Sequence, residues 1–185
     1  ARLLNKTAAE IAREVCREFE KPSRPRFVVG SCGPGTKLPS LGQTTWDELV
    51  DSYKEQVRGL LEGGVDAVLV ETCQDILQAK SAIVAALDAM SEKGVCLPIF
   101  CTVTVETTGT MLLGTEVAAA LTAIEACDQV VGIGLNCATG PQEMSEHVRY
   151  LGSHTDRLLI IQPNAGLPQL VDGKPHYTLT PTELT

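Results

Sequence analysis

Residues 130–141 read Val-Val-Gly-Ile-Gly-Leu-Asn-Cys-Ala-Thr-Gly-Pro, and this stretch contains the unit that decides the fold. The run from Val130 to Leu135 is apolar throughout, as expected for a strand that is buried on both faces. A turn of small and polar residues follows it, and an amphipathic stretch then runs from about Gln142 to Leu151. The pattern predicts a buried strand, a turn and a covering helix.

The same unit recurs on both sides of this stretch. Further predicted strands lie at 27–30, 67–71, 99–103 and 158–161, and predicted helices lie at 46–61, 76–90 and 116–126. Another amphipathic helix, from Leu4 to Phe19, precedes them and ends at a segment that contains two prolines. Apolar strands that alternate with helices indicate a parallel sheet covered by helices.

Two α/β architectures fit this alternation, the doubly wound open sheet and the (β/α)8 barrel. No Gly-x-Gly-x-x-Gly turn follows any predicted strand, so the main sign of a dinucleotide-binding sheet is absent. We therefore predict a parallel (β/α)8 TIM barrel, of which this chain covers about five of the eight strands. Because 180–183 has the pattern of a helix start, we expect residues 1–185 to be the central part of one barrel domain, truncated at both ends.

Composition narrows the class of partner and the compartment. The net charge is −8 and the 15 Lys and Arg residues are scattered, which argues against nucleic-acid binding. No apolar run approaches the roughly 20 residues that a membrane span requires. Seven cysteines, an odd number with several inside apolar runs, are untypical of a secreted disulfide framework. We expect a soluble cytoplasmic protein.

Active sites of such barrels lie at the carboxyl ends of the strands, which directs attention to a few polar residues. Cys137 follows a strand end and is either a metal ligand or a small residue in a tight turn. Glu71 ends an apolar strand, where its charge needs solvent or a cation, such as a substrate ammonium or the side chain of Lys80. Asn164 either caps a turn or binds a ligand.

A single thiol cannot complete a tetrahedral zinc site, and the sequence has no Cys-x-x-Cys or His-x-x-x-His pair. Cys32 and Cys73 also lie at strand ends and could join Cys137 in a three-thiolate site. The alternative interpretation is that Cys32 and Cys73 are buried packing residues.

Four short motifs occur in order along the chain, between the first helix and about Tyr177. They are Gly33-Pro34, Glu71-Thr72, Gly134-Leu135-Asn136-Cys137 with Gly140-Pro141, and Pro163-Asn164-Ala165-Gly166. In this order and at these strand ends, the motifs resemble those of the homocysteine S-methyltransferase family.

The resemblance implies a set of roles. Cys137 would be one zinc ligand, Glu71 and Asn164 would hold the amino-acid end of homocysteine, and Asn136 would shape the metal turn as part of the substrate-binding set. The family completes its zinc site with an adjacent Cys-Cys pair, which this chain lacks, so further ligands are expected beyond its C-terminus. The family's Gly-rich first strand is also missing from this sequence.

The resemblance further implies that zinc activates the homocysteine thiolate and that the methyl group comes from methylcobalamin, to give methionine. Cobalamin-binding and methyltetrahydrofolate-binding modules of the same parent protein would then be partners. Two alternatives stay open. The methyl donor could be betaine or S-methylmethionine, or the chain could be a folate-binding or non-catalytic barrel fragment.

Overall fold

The computed structural model describes residues 1–166 and 169–184, and strands and helices alternate as far as residue 162. The strands are β1 (Val29–Cys32), β2 (Ala67–Cys73), β3 (Ile99–Val103), β4 (Val130–Asn136), β5 (Leu158–Gln162), β6 (Gln169–Val171) and β7 (Lys174–His176). The α-helices are α1 (Arg2–Phe19), α2 (Trp46–Glu62), α3 (Ile76–Lys93), α4 (Val117–Glu125), α5 (Pro141–His154) and α6 (Pro181–Leu184).

The first five strands form one parallel sheet in the order β1-β2-β3-β4-β5, so each strand pairs with the next along the chain. A doubly wound sheet reverses its strand order at a switch point, whereas a (β/α)8 barrel keeps sequence order. The strand order therefore confirms the predicted barrel-type architecture. In the described residues the sheet is open, with β1 and β5 as its edges.

The helices cover one face of this sheet and form the core with it. Helix α3 lies against the sheet with an alanine-rich face, and the strands contribute branched residues and cysteines to the same layer. The fully buried members include Ala82, Ala86, Val68, Val70, Ile99, Cys101 and Val130. The opposite face is the one that a closed barrel would turn inward.

Local signals explain where the helices begin and how closely two of them approach. Thr45 and Glu48 form a capping box at the start of α2, and the carboxylate of Asp75 caps α3 by accepting from Leu77 N at 2.9 Å. Gly59 and Gly63 lie where α1 crosses α2. A Cβ at Gly63 would come within 2.5 Å of Ala9 Cβ, so this crossing requires residues without side chains.

Two boundaries differ from the sequence-based expectation. Strand β1 begins at Val29 and continues through Ser31 and Cys32, which were expected in the following loop. The segment around His176, for which no strand was predicted, is a β-hairpin in which β6 pairs with β7. Asp172 and Gly173 form its turn with φ values of 51° and 74°, the left-handed pair that an Asp-Gly hairpin turn adopts.

None of the helices in the described ranges combines the length and apolar character needed to cross a membrane.

Candidate functional site

The carboxyl edge of the parallel sheet brings several of the predicted site residues together. Glu71 lies near the end of β2, Asn136 is the last residue of β4, and Cys137 follows it directly. In parallel strands these ends point to the same side, so residues far apart in sequence become neighbours. Asn164 lies in the segment after β5, on the same side of the sheet.

The side chain of Asn136 links three strands. Its Oδ1 accepts hydrogen bonds from Thr72 N at 3.0 Å and from Thr102 Oγ1 at 2.7 Å. Its Nδ2 donates to Thr72 Oγ1 at 2.6 Å and to Cys137 Sγ at 3.3 Å. Asn136 is only 4% exposed, and these four bonds use the full capacity of its amide.

Cys137 occupies a left-handed turn that exposes its thiol. Its φ is 60°, and Ala138 continues the turn with a φ of 56°. The turn is fixed by Cys137 N, which donates to Gln162 O at 3.1 Å, and by Thr139 N, which donates to Cys137 O at 2.7 Å. The geometry holds an accessible sulfur at the edge where a barrel site is expected.

Thr72 is also left-handed, with a φ of 61°. A β-branched residue in this conformation is unusual and is strained by about 1–2 kcal/mol. Strained residues of this kind cluster at functional sites, where surrounding contacts hold them in place. Thr72 and Cys137 therefore mark two constrained turns at one sheet edge, and Asn136 bonds to both.

Glu71 is partly exposed, and one of its carboxylate oxygens accepts a hydrogen bond from Ser31 Oγ. The rim ion pair with Lys80 that the sequence allowed is not formed. Gly33 lies over the main chain of Glu71, where a Cβ would approach Glu71 O to 3.1 Å, and its φ of 95° favours glycine. The Ser31–Glu71 contact was not predicted, because Ser31 was placed in a loop.

Asn164 is joined to the Cys137 turn through the main chain, since Asn164 N donates to Thr139 O at 3.0 Å. It lines a cavity of about 250 Å³ together with Thr107, Ala138, Thr139, Gly140, Glu143 and Gly166. Glu71 does not line this cavity. The structure thus connects Glu71 with Cys137 through Thr72 and Asn136, and connects Asn164 with Cys137 through Thr139.

A larger cavity, of about 760 Å³, lies between α5 and the segment that follows β5. Its apolar lining includes Met144, Val148 and Ile161, which belong to the helix-covered side of the sheet. None of the four predicted site residues lines it. The larger of the two cavities therefore does not lie at the sheet edge where the polar side chains converge.

The alternative three-thiolate site does not form. Cys32 and Cys73 are 1% and 0% exposed and point into the core, whereas Cys137 is exposed. Burial raises the pKa of Cys32 to about 12, and burial likewise raises the pKa of Cys73 far above its ordinary value. Such thiols stay protonated at neutral pH and are poor metal ligands. Within residues 1–166 and 169–184, no three Cys, His, Asp or Glu side chains form a group that could hold a metal.

Comparison with known proteins finds a matching family model and similar protein sequences. The family model described as homocysteine S-methyltransferase matches residues 1–185. The methionine synthase of Mycobacterium tuberculosis (strain ATCC 25618 / H37Rv) is 53% identical over 181 residues, which are 98% of this chain and 15% of that protein. The methionine synthase of Mycobacterium leprae (strain TN) is 52% identical over the same shares. The chain thus spans about 15% of the length of these curated relatives.

Solved structures show the same fold at lower sequence identity. The apo form of the homocysteine methyltransferase MmuM from Escherichia coli superposes with a TM-score of 0.74 at 20% identity, over 89% of this chain and 61% of that one. Its metallated form gives a TM-score of 0.69 at 19% identity, over 89% and 59%.

Proposed function

This chain belongs to the homocysteine S-methyltransferase family, and on that premise we propose that it is the homocysteine-binding part of a cobalamin-dependent methionine synthase. The observation that carries the proposal is the exposed Cys137 thiol, held in a left-handed turn at the carboxyl edge of the sheet. The two methionine synthases at 53% and 52% identity support this branch of the family over the others.

Cys137 fits the role of one zinc ligand, because its sulfur is accessible and receives an N–H from Asn136. One thiol is too few for a zinc site, so the remaining ligands come from residues beyond this chain. Bound zinc would lower the pKa of a coordinated homocysteine thiol and supply a thiolate at neutral pH.

The residues of this chain bind and orient the substrate around that sulfur. Glu71 receives the substrate ammonium, since its carboxylate is accessible and has no cationic partner among the described side chains. Asn164 contacts the carboxylate end of the amino acid from the cavity beside the Cys137 turn. Asn136, whose amide is fully used by protein groups, acts on the substrate only through its neighbours.

The methyl group comes from methylcobalamin carried by another module, which is remethylated from methyltetrahydrofolate on a further module. The remaining length of the methionine synthase relatives offers room for such modules. Betaine and S-methylmethionine are disfavoured as donors, because the relatives at 53% and 52% identity are methionine synthases. The enzyme would work in the cytoplasm, with neither nucleic acid nor membrane as a partner.

Calorimetric titration of the full-length protein with homocysteine, in two buffers of different ionisation enthalpy, tests this function. A homocysteine thiol is mostly protonated at pH 7, so capture as a metal-bound thiolate releases nearly one proton per ligand. Methionine has no thiol proton to lose and serves as the matched control. Homocysteine binding without proton release, or no binding at all, would contradict the proposal.

A further inference from the structure

The orientation of the Asn136 amide is fixed by a group that can only donate. The main-chain N–H of Thr72 has no acceptor capacity, so the atom facing it at 3.0 Å must be the amide oxygen. The hydroxyl of Thr102, at 2.7 Å from the same oxygen, then serves as a second donor. The other end of the amide is therefore the NH2 group, and it directs N–H bonds at Thr72 Oγ1 and Cys137 Sγ.

We propose that Thr72 and Thr102 are positioning residues, which lock the Asn136 amide so that it holds the Cys137 sulfur and the Glu71-Thr72 turn in one fixed arrangement. The metal-binding side and the substrate-binding side of the site would then be mechanically coupled through a single side chain. This inference rests on the proposed function, because it assigns Cys137 to zinc and Glu71 to the substrate.

Two bonds join Asn136 to Thr72, one at the main chain and one at the side chain. Together they hold Thr72 in its strained left-handed conformation, and Thr72 directly follows Glu71. Loss of the amide would let the turn relax and displace the Glu71 carboxylate. The direction of Glu71 therefore depends on Asn136, which lies 64 positions after Thr72 in the chain.

The N–H from Asn136 to the Cys137 sulfur has an electrostatic role as well as a geometric one. A donor at 3.3 Å stabilises negative charge on sulfur and orients its lone pairs. Groups that orient metal ligands in this way contribute about 10–100-fold to metal affinity. A loosened amide should therefore weaken metal binding although no ligand is removed.

Thr104 provides a matched control for Thr102. Both threonines are buried, at 3% and 0% exposure, and both donate to Asn136. Thr104 Oγ1 bonds the main-chain oxygen of Asn136 at 3.1 Å and does not touch the amide. Replacement of either by Val removes one buried hydroxyl bond, but only Thr102→Val removes one of the four bonds to the side-chain amide of Asn136.

The test uses full-length protein carrying Thr102→Val, Thr104→Val or the conservative Thr102→Ser. Zinc affinity is measured by competition with a chelator, and the sulfur-to-metal charge-transfer absorption is recorded after substitution with Co(II). We expect Thr102→Val to weaken zinc about 10-fold and to shift the absorption. Thr104→Val should leave both unchanged within about twofold, and Thr102→Ser should restore both. Equal behaviour of the two Val variants would overturn the inference.

Thr72→Val and Thr72→Ser repeat the comparison at a partly exposed position, where misfolding is a smaller risk. Loss of Oγ1 in the Val variant should shift the Co(II) absorption and weaken homocysteine binding, whereas Ser should preserve both. If neither Thr72→Val nor Thr102→Val differs from wild type, the amide has no positioning role and the proposed function still stands.

Hydrogen exchange at the main-chain amide of Thr72 in metal-free protein tests the positioning role of Asn136 separately from the proposed function. We expect protection in wild type that is lost in Asn136→Ala, because Asn136 Oδ1 is the acceptor for this N–H. Wild-type protein that binds no zinc would refute the proposed function, while protection at Thr72 would still show that the Asn136 amide is held in place. Rapid exchange at Thr72 in wild type would refute the positioning role, with or without bound metal.

Discussion

At the scale of single residues, Glu71 and the buried cysteines differ in what surrounds them. One Glu71 oxygen accepts from Ser31, and the carboxylate has no ion pair within the described residues. A partly exposed acid at the end of an apolar strand is suited to bind a cationic group of a ligand. Cys32 and Cys73 instead point into apolar surroundings that keep their thiols neutral.

Glu71→Gln in the full-length protein should weaken homocysteine binding about 10–100-fold, because a charged hydrogen bond to the substrate ammonium contributes about 1.5–3 kcal/mol. Zinc content should not change, because the proposed function has this carboxylate contact the substrate and not the metal. Calorimetric titration and elemental analysis measure the two quantities. Glu106→Gln, at another partly exposed acid in the loop after β3, is the control and should bind homocysteine normally. Unchanged affinity in Glu71→Gln would remove the assigned role.

Replacement of both Cys32 and Cys73 by Ala should preserve the full zinc content of the full-length protein. Each change deletes one buried sulfur and should cost about 1 kcal/mol of stability by loss of packing. In metal-free wild type, iodoacetamide should modify the exposed Cys137 and Cys96 long before Cys32 or Cys73, as read out by peptide mass spectrometry. Loss of metal from the double variant would revive the three-thiolate alternative.

At the scale of elements, β4 approaches β5 so closely that it depends on glycine. A Cβ at Gly134 would lie 1.6 Å from the carbonyl oxygen of Ile160, which belongs to the paired strand. No side chain can occupy this space unless the strands separate. The same pairing leads into the bond between Cys137 N and Gln162 O, so strand packing positions the Cys137 turn.

Gly134→Ala should therefore destabilise the β4–β5 pairing by more than about 2 kcal/mol and weaken zinc binding with it. Gly152→Ala is the control on α5, where the nearest atom to a new Cβ is Leu159 Cδ1 at 3.8 Å. Alanine in an exposed helix should be neutral or stabilising by up to about 1 kcal/mol. Hydrogen exchange of the β4 amides compares the two variants, and equal protection would contradict the packing argument.

The sequence predicts the elements better than it predicts their contacts. Apolar runs and capping residues identify all five strands of the parallel sheet and the helices between them, because these signals are local. The bonds from Asn136 to Thr72 span 64 positions and depend on a left-handed conformation that threonine disfavours. The bond from Thr102 to Asn136 could not be predicted either, because nothing in the sequence distinguishes Thr102 from the other residues of its strand. Among the features that were not predicted, the hairpin turn at Asp172-Gly173 does have a local signal, because Asp-Gly is a preferred pair for such turns.

At the scale of the whole molecule, the described residues leave apolar surface uncovered. Strand β5 is an open edge where Leu158 is 64% exposed, and α1 carries an apolar stripe in which Leu4 is 76% exposed. Unpaired strand edges and apolar patches promote association. A segment of residues 1–185 alone should therefore associate or aggregate, and light scattering should show this. A stable monomer would contradict the expectation.

The central claim is that Cys137 is a zinc ligand, and zinc analysis of purified full-length protein tests it most directly. We expect about one zinc per chain in wild type and in Cys127→Ala, and almost none in Cys137→Ala after dialysis against a weak chelator, because a zinc site loses most of its affinity with one ligand removed. Cysteine and alanine are equally strained at a φ of 60°, so the substitution tests the sulfur rather than the turn. A Cys137→Ala protein that retains one tightly bound zinc would contradict the account.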